Sequence, residues 1–404
     1  MFRENCLICN SKKLEEIVDL GSHPFADTFI PKSRASESDA IYPLTCDLCL
    51  DCGQIQTKCI TNPQDRYAQH DYSYTSSNSS IARKHWDELA EETSEKFKIK
   101  NKFIVEVGSN DGYLSEKFAK RRNKVIGVDP SLYMAKIAEE RGVLTKTGLF
   151  GKEIAQEIEK EYGKADLIIA NNVFNHSNNP KDFAEAVSRL LANKGKFMFE
   201  QPYWSTGVKS GKFDQIYHEH VSYFLTKSIE KLLNEVDMKI IDAQVVDYHG
   251  GSLKIVAERI YSKTPLSKEA EQLIGEEVKD GMFNPRTYKK MMEDVTKKRD
   301  LFLKKVYEIR SKGEKIVAVG AAAKGNTFLN FYNLDHSVID FVTDSSLHKQ
   351  GKLTPATRIP VVGDEIFKNY DKVHALILSW NIANMIRPNL LKLNPNIEFL
   401  VPEE

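Results

Sequence analysis

The sequence predicts an α/β protein of three domains: a small cysteine-bound unit, then two open-sheet α/β units joined by a helical linker. Three observations carry that expectation. Five of the six cysteines fall in the first 52 residues. Compact apolar runs alternate with amphipathic stretches over residues 71–262, and the same alternation returns over 313–404. A length of 404 residues also fits two to three domains of about 150 each.

Composition bounds the function. Lys plus Arg and Asp plus Glu are 57 each, so no global field favours a nucleic-acid backbone or an anionic membrane, and neither partner is expected. Hydrophobic residues at 41% and a mean hydropathy of −0.43 describe an ordinary globular chain. No apolar run approaches the roughly 18 residues of a membrane span. The start, MFRENCLICN, carries Glu4 and has no apolar core of a secretion signal, so a cytoplasmic enzyme is expected. The oligomeric state is not written in the sequence.

Residues 1–70 are poor in helical periodicity and rich in turn residues. Cys6 and Cys9 form one C-x-x-C pair, and Cys46, Cys49 and Cys52 supply two overlapping ones about 40 residues on. Two residues between cysteines let a tight knuckle aim both sulfurs at one ion, and two knuckles complete a closed four-thiolate zinc site with a structural role. Cys49 and Cys52 are preferred to Cys46 because Gly53 follows, as in many knuckle turns. Cys59 reads as a small buried hydrophobe.

Residues 71–262 carry the strand candidates 102–108, 124–129, 165–171 and 195–202, whose apolar runs suit a mostly parallel sheet covered on both faces. The stretch MKIIDAQVVDYHGGSLKIVAER reads as an antiparallel hairpin turning at His249, Gly250 and Gly251. In IVEVGSNDGYL, Glu106, Gly108, Asn110, Asp111 and Gly112 stand between the first strand and a helix. This is neither G-x-G-x-x-G nor a phosphate loop. Two acids there repel a pyrophosphate and suit a cation, and S-adenosylmethionine carries an ammonium and a sulfonium beside a ribose. Asp129, ending the second strand about 20 residues on, can accept from ribose hydroxyls. Asn171 and Asn172 end a third strand and face the same crevice.

His176 lies just beyond that third strand end. Farther on, Tyr217, His218, Glu219 and His220 stand together, groups able to hold and exchange protons. An extended segment would point His218 and His220 the same way, whereas a helical turn would bring Tyr217 to His220. The spacing leaves both open.

Residues 263–312 form the charged helical linker, interrupted at Asn284 and Pro285. Over 313–404, GAAAKGN offers close backbone approach with Lys324 and Asn326, and Lys349 sits in K-Q-G. Together these residues are expected to hold a substrate diphosphate, and His249 is expected to bind substrate as well.

Taken together, CLIC, CLDCGQIQ, HDYSYTSSNSS, VEVGSNDGYL, NNVFNH, YHEHVSYF, HGGSLKIV, VGAAAKGNTFLN and KQGKLTPATRIP resemble the sugar-nucleotide C-methyltransferases of deoxysugar pathways over essentially the whole chain. The resemblance implies an amino-terminal zinc domain, a central Rossmann-like class I methyltransferase domain that takes S-adenosylmethionine, and a carboxy-terminal Rossmann-like domain. A nucleotide-linked keto-sugar would lie between the last two. It implies His220 as base, assisted by His176, Tyr217, Glu219 and a tyrosine matching Tyr72 or Tyr74. Asn175 and Ala356 depart from the family pattern. A ketone at C4 makes the C3 proton acidic, so deprotonation and methylation of the enolate carbon follow. The competing readings are a sugar O-methyltransferase and a non-catalytic binder of sugar nucleotide or S-adenosylmethionine.

Overall fold

The computed structural model describes residues 1–67, 75–77 and 79–402. Tyr72 and Tyr74 lie outside the described residues.

In the amino-terminal unit, Leu14–His23 pairs antiparallel with Tyr42–Cys49, which pairs with Ile55–Thr57. The fourth strand, Ser222–Tyr223, comes from the middle of the chain and pairs with Ile55 and Gln56. The cysteine unit is thereby stitched to the segment that carries Tyr217–His220. Cys46 sits inside a strand opposite Val18 and Thr57, where it is fully buried.

The central sheet has seven strands in the order Met238–Val246, Ser252–Arg259, Leu191–Pro202, Ala165–Ile169, Phe103–Val107, Lys124–Asp129 and Leu144–Thr147. The last five are parallel, and the first two form the antiparallel hairpin that closes one edge. Strand order reverses beside Phe103–Val107, so a crevice opens at the carboxyl ends of that strand and its neighbours. This is a Rossmann-like arrangement with an antiparallel edge. The edge strand Leu144–Thr147 was not anticipated: it reads L-T-K-T, with one buried residue and no apolar run to announce it.

Pro285 begins a helix rather than kinking one. It occupies the first turn of Pro285–Ser311, where its missing N–H costs nothing, and Asn284 caps the helix by accepting from Arg286 N. This 27-residue helix is more than a connector. Tyr288, Met291, Val295 and Val306 are buried in one core with Trp204 of the central unit and Leu20 of the cysteine unit.

The last unit is a five-stranded parallel sheet in the order Val361–Val362, Val342–Thr343, Ile316–Val319, Val373–Ile377, Ile397–Leu400. It is clasped to the cysteine unit where Lys352–Leu353 pairs with Ile30–Pro31 and Arg358 meets Asp39. Among the described residues, no helix is long and apolar enough to cross a membrane.

Candidate functional site

A cavity of about 500 Å³ lies at the carboxyl edge of the central sheet. One wall is made of strand ends: Glu106, Gly108, Asn110, Asp129, Asn171 and Asn172 all line it. Gly108 and Asn110 hold positive φ of 70° and 50°, which folds the loop back toward the crevice. Asp129 steadies it by accepting from the backbone N–H of Asn110 and of Ser131, both at 2.9 Å. Burial pushes the Glu106 carboxyl up to about 8 and raises that of Asp129. Asn171 Oδ1 accepts from Glu200 N at 2.9 Å, and its buried Nδ2 has no hydrogen-bond partner among the described residues.

Among the described residues, such a wall offers no cation to Glu106 and no acceptor to Asn171 Nδ2. An ammonium would restore charge to Glu106, a carboxylate would take the Asn171 donor, and ribose hydroxyls would meet Asp129. These donors and acceptors fit S-adenosylmethionine. Asp111 and Gly112, assigned to the same task, do not line the cavity. Asp111 turns the other way, accepting from the hydroxyls of Ser76 and Ser77 and pairing with Arg141 at 3.3 Å. Gly112 serves packing: a Cβ there would stand 2.8 Å from Ala138 Cβ.

The opposite wall is made of loops. His220 N donates to Tyr217 O at 2.9 Å, so the segment is a turn and Tyr217 meets His220, its hydroxyl 2.7 Å from Nε2. Nδ1 of His220 is 2.9 Å from the Gln215 carbonyl oxygen. A carbonyl only accepts, so Nδ1 carries the proton and Nε2 offers its lone pair, here to the Tyr217 hydroxyl. Burial holds the His220 imidazole down at about 4, which keeps it neutral. The His176 ring is 5.0 Å from that of His220, and its protonation is suppressed by burial, then by His220 and Arg66. Glu219 also lines the cavity, raised to about 7 by burial, and accepts from Asp27 N at 3.3 Å. His218 faces away: its Nε2 donates to Pro43 O at 3.2 Å, and its ring meets Phe25 and Tyr42 edge-on.

Of the residues expected to hold substrate, Lys324 and His249 line the cavity. The Lys324 ammonium lies 4.6 Å from the Trp380 ring centroid and donates to Asn381. Asn326 and Lys349 do not line it. Asn326 is buried, and its amide is spent on Ala26 O at 2.6 Å. Lys349 donates to Ala321 O at 2.7 Å and stands 3.6 Å from the Asp27 carboxylate.

Three residues that bear on the site escaped the sequence reading. Gln215 fixes the His220 tautomer through its main chain, which no side-chain pattern can announce. Arg66 places a guanidinium against the carbonyls of His176, His218 and Glu219 and donates to Asn178 Oδ1 at 2.9 Å, tying the two histidine loops together. Asp27 lines the cavity from the cysteine unit.

Away from the cavity, the sulfurs of Cys6, Cys9, Cys49 and Cys52 all lie within 4.8 Å of one another, with Cys6–Cys52 and Cys9–Cys49 at 3.5 Å. Tetrahedral zinc with Zn–S bonds of about 2.3 Å sets sulfurs roughly 3.8 Å apart, so the four thiols fit the ion. Cys46 is outside the group, and Gly53 takes the positive φ of 76° that the second knuckle needs.

Residues 6–67 match the family model described as "Putative zinc binding domain", residues 79–243 that of "Methyltransferase domain", and residues 247–402 that of "C-methyltransferase C-terminal domain". The chain is 28% identical over 387 residues to C-methyltransferase NovU of Streptomyces niveus, covering 96% of this chain and 92% of the relative. It is 29% identical over 143 residues to uncharacterized protein MJ1123 of Methanocaldococcus jannaschii, covering 34% of this chain and 65% of that one. Among solved structures, the PH0226 protein from Pyrococcus horikoshii OT3 aligns with a TM-score of 0.39 at 17% identity, covering 49% of this chain and all of that one.

Proposed function

We propose that the chain, whose three parts match a zinc-binding, a methyltransferase and a C-methyltransferase C-terminal model and which resembles a C-methyltransferase over 96% of its length, is a cytoplasmic S-adenosylmethionine-dependent enzyme methylating C3 of a nucleotide-linked 4-keto-deoxysugar. The substrate lies between the unit at 71–262 and the unit at 313–404, with Lys324 and His249 on its path. The observation that carries this reading is the neutral His220, its Nδ1–H tied to a carbonyl and its Nε2 lone pair aimed at the Tyr217 hydroxyl, in the same cavity as the strand-end wall.

Bound S-adenosylmethionine supplies an electrophilic methyl group on a sulfonium. The chain's residues supply the rest. A substrate that displaces the Tyr217 hydroxyl from Nε2 presents its C3 proton to His220 and frees that hydroxyl to donate to the enolate oxygen. The Gln215 carbonyl then supports the imidazolium through Nδ1–H. Arg66 keeps His176 and the 217–220 turn in register, and the walls hold both reactants in one crevice.

The test is exchange of the C3 proton with deuterated water, followed by mass spectrometry of the product. We expect exchange that needs His220 and a gain of one methylene on carbon. A methyl group on oxygen, or turnover without C3 exchange, overturns the reading.

A further inference from the structure

We propose that the zinc domain contributes to the substrate site as well as to the fold: Asp27 is a specificity-determining carboxylate that accepts a hydrogen bond from a hydroxyl or ammonium group of the sugar. The inference rests on the function proposed above.

Asp27 stands where three units meet. Its backbone N–H donates to Glu219 Oε1 at 3.3 Å. Lys349 of the C-terminal unit lies 3.6 Å from its carboxylate, is held in turn by Ala321 O at 2.7 Å, and lies 5.0 Å from the Phe29 ring centroid. One residue earlier, Ala26 O accepts from Asn326 at 2.6 Å. The 24–29 loop is thus fixed by its neighbours on both sides, and its one acid lines the cavity beside Glu219, Tyr217 and His220. A carboxylate placed this way is expensive unless compensated, and Lys349, outside the cavity, compensates it. A carboxylate has about four acceptor sites, so one that lines a cavity and already holds partners such as Lys349 can still accept from a bound group. The groups on a deoxysugar that answer an acceptor are hydroxyls and amines, and a site built to bond such a group rejects analogues lacking it.

The experiment uses the full-length, zinc-loaded protein, with Asp27→Asn and Asp27→Ala compared against the unaltered chain. The probes are the thymidine- and uridine-diphosphate-linked 4-keto-6-deoxyhexoses. We expect KM for the keto-sugar to rise about 10- to 100-fold, the range for a lost hydrogen bond to a charged group. Zinc content and S-adenosylmethionine affinity are expected to stay within twofold. A hydroxyl partner is indicated if Asp27→Asn keeps part of the affinity, and an ammonium partner if Asn is as poor as Ala. Unchanged KM in both variants overturns the role of Asp27 alone. Loss of zinc or of cofactor binding along with KM also overturns it, because Asp27 would then act only on the fold. Failure of the unaltered chain to turn over either probe overturns the parent reading and this inference together.

Discussion

The two walls of the cavity are built by different means. The strand-end wall takes Glu106, Gly108, Asn110, Asp129, Asn171 and Asn172 from the ends of three neighbouring strands, whose parallel pairing sets them side by side. The loop wall takes His176, Tyr217, Glu219 and His220 from irregular segments. Contacts from far along the chain fix their positions: Arg66 on three carbonyls, Asp27 on Glu219, and a strand of the zinc unit against Ser222–Tyr223. A wall made by a sheet's own register stands by itself; one made by borrowed contacts depends on the lenders.

Metal removal tests that difference most severely. A structural zinc site contributes an apparent 10–16 kcal/mol or so to the fold of its domain, and here that domain holds Asp27 and Arg66 in place. Chelation, or Cys52→Ser, is expected to abolish turnover and C3 exchange by more than about 10³-fold. S-adenosylmethionine affinity, measured by calorimetry, is expected to fall by less than about 10-fold. Equal loss of both would show that the walls are not separable.

A narrower cut is His220→Ala. A positioned general base contributes about 10² to 10⁴ in rate, so kcat should fall by that factor while cofactor affinity stays unchanged. Retention of C3 exchange in this variant would move the base elsewhere on the loop wall.

The same division decided what could be read from the sequence. Apolar runs ending in glycine or acid announced the strand-end wall, because a strand's register delivers its last residues to one edge. Even there Asp111 was misplaced, since only the folded chain brings Ser76, Ser77 and Arg141 to its carboxylate. On the loop wall the residue types were legible and their directions were not. Extended and turn geometries gave His220 different neighbours, and a backbone bond from His220 to Tyr217 decides for the turn. Lys349 and Asn326 read as phosphate ligands in a glycine-rich context, yet neither lines the cavity, and both reach across to the cysteine unit, Lys349 to Asp27 and Asn326 to Ala26 O. The zinc knuckles were legible because two C-x-x-C pairs carry their geometry in their spacing.

The walls also respond to pH, with signs that can be separated. Glu106, raised by burial from its ordinary 4.5 to about 8, keeps in the folded chain a proton that the unfolded chain releases. Its effect is that stability falls as pH rises from about 4.5 through 8. Glu219, raised to about 7, has the same sign. His218 and His220, held down from 6.5 to about 4, act oppositely: the unfolded chain gains protons first, and stability falls as pH drops from 6.5 toward 4. Glu106→Gln removes one contribution from the strand-end wall. The variant should match the unaltered chain near pH 5 and exceed its stability near pH 8 by an amount on the order of 2 kcal/mol, read by urea unfolding without ligand. A variant no more stable at pH 8 would mean that Glu106 is ionised in the empty site.

The smallest effect belongs to neither wall and serves as their control. Ala356 holds a φ of 56° in the clasp between the C-terminal and zinc units, where its N–H donates to Asp39 Oδ2 at 2.5 Å. A Cβ in that left-handed conformation costs roughly 1–2 kcal/mol, and glycine gives part of it back as unfolded-chain entropy. Ala356→Gly keeps the donor, so the net expectation is a gain of about 0.5–1 kcal/mol, visible as a rise of a few degrees at most in Tm. Turnover and the C3 exchange rate should not change, because the residue is absent from the cavity lining. If exchange slows while Tm rises, the clasp reaches the loop wall through Asp39 and the zinc unit, and that wall's dependence on distant contacts extends further than Asp27 and Arg66.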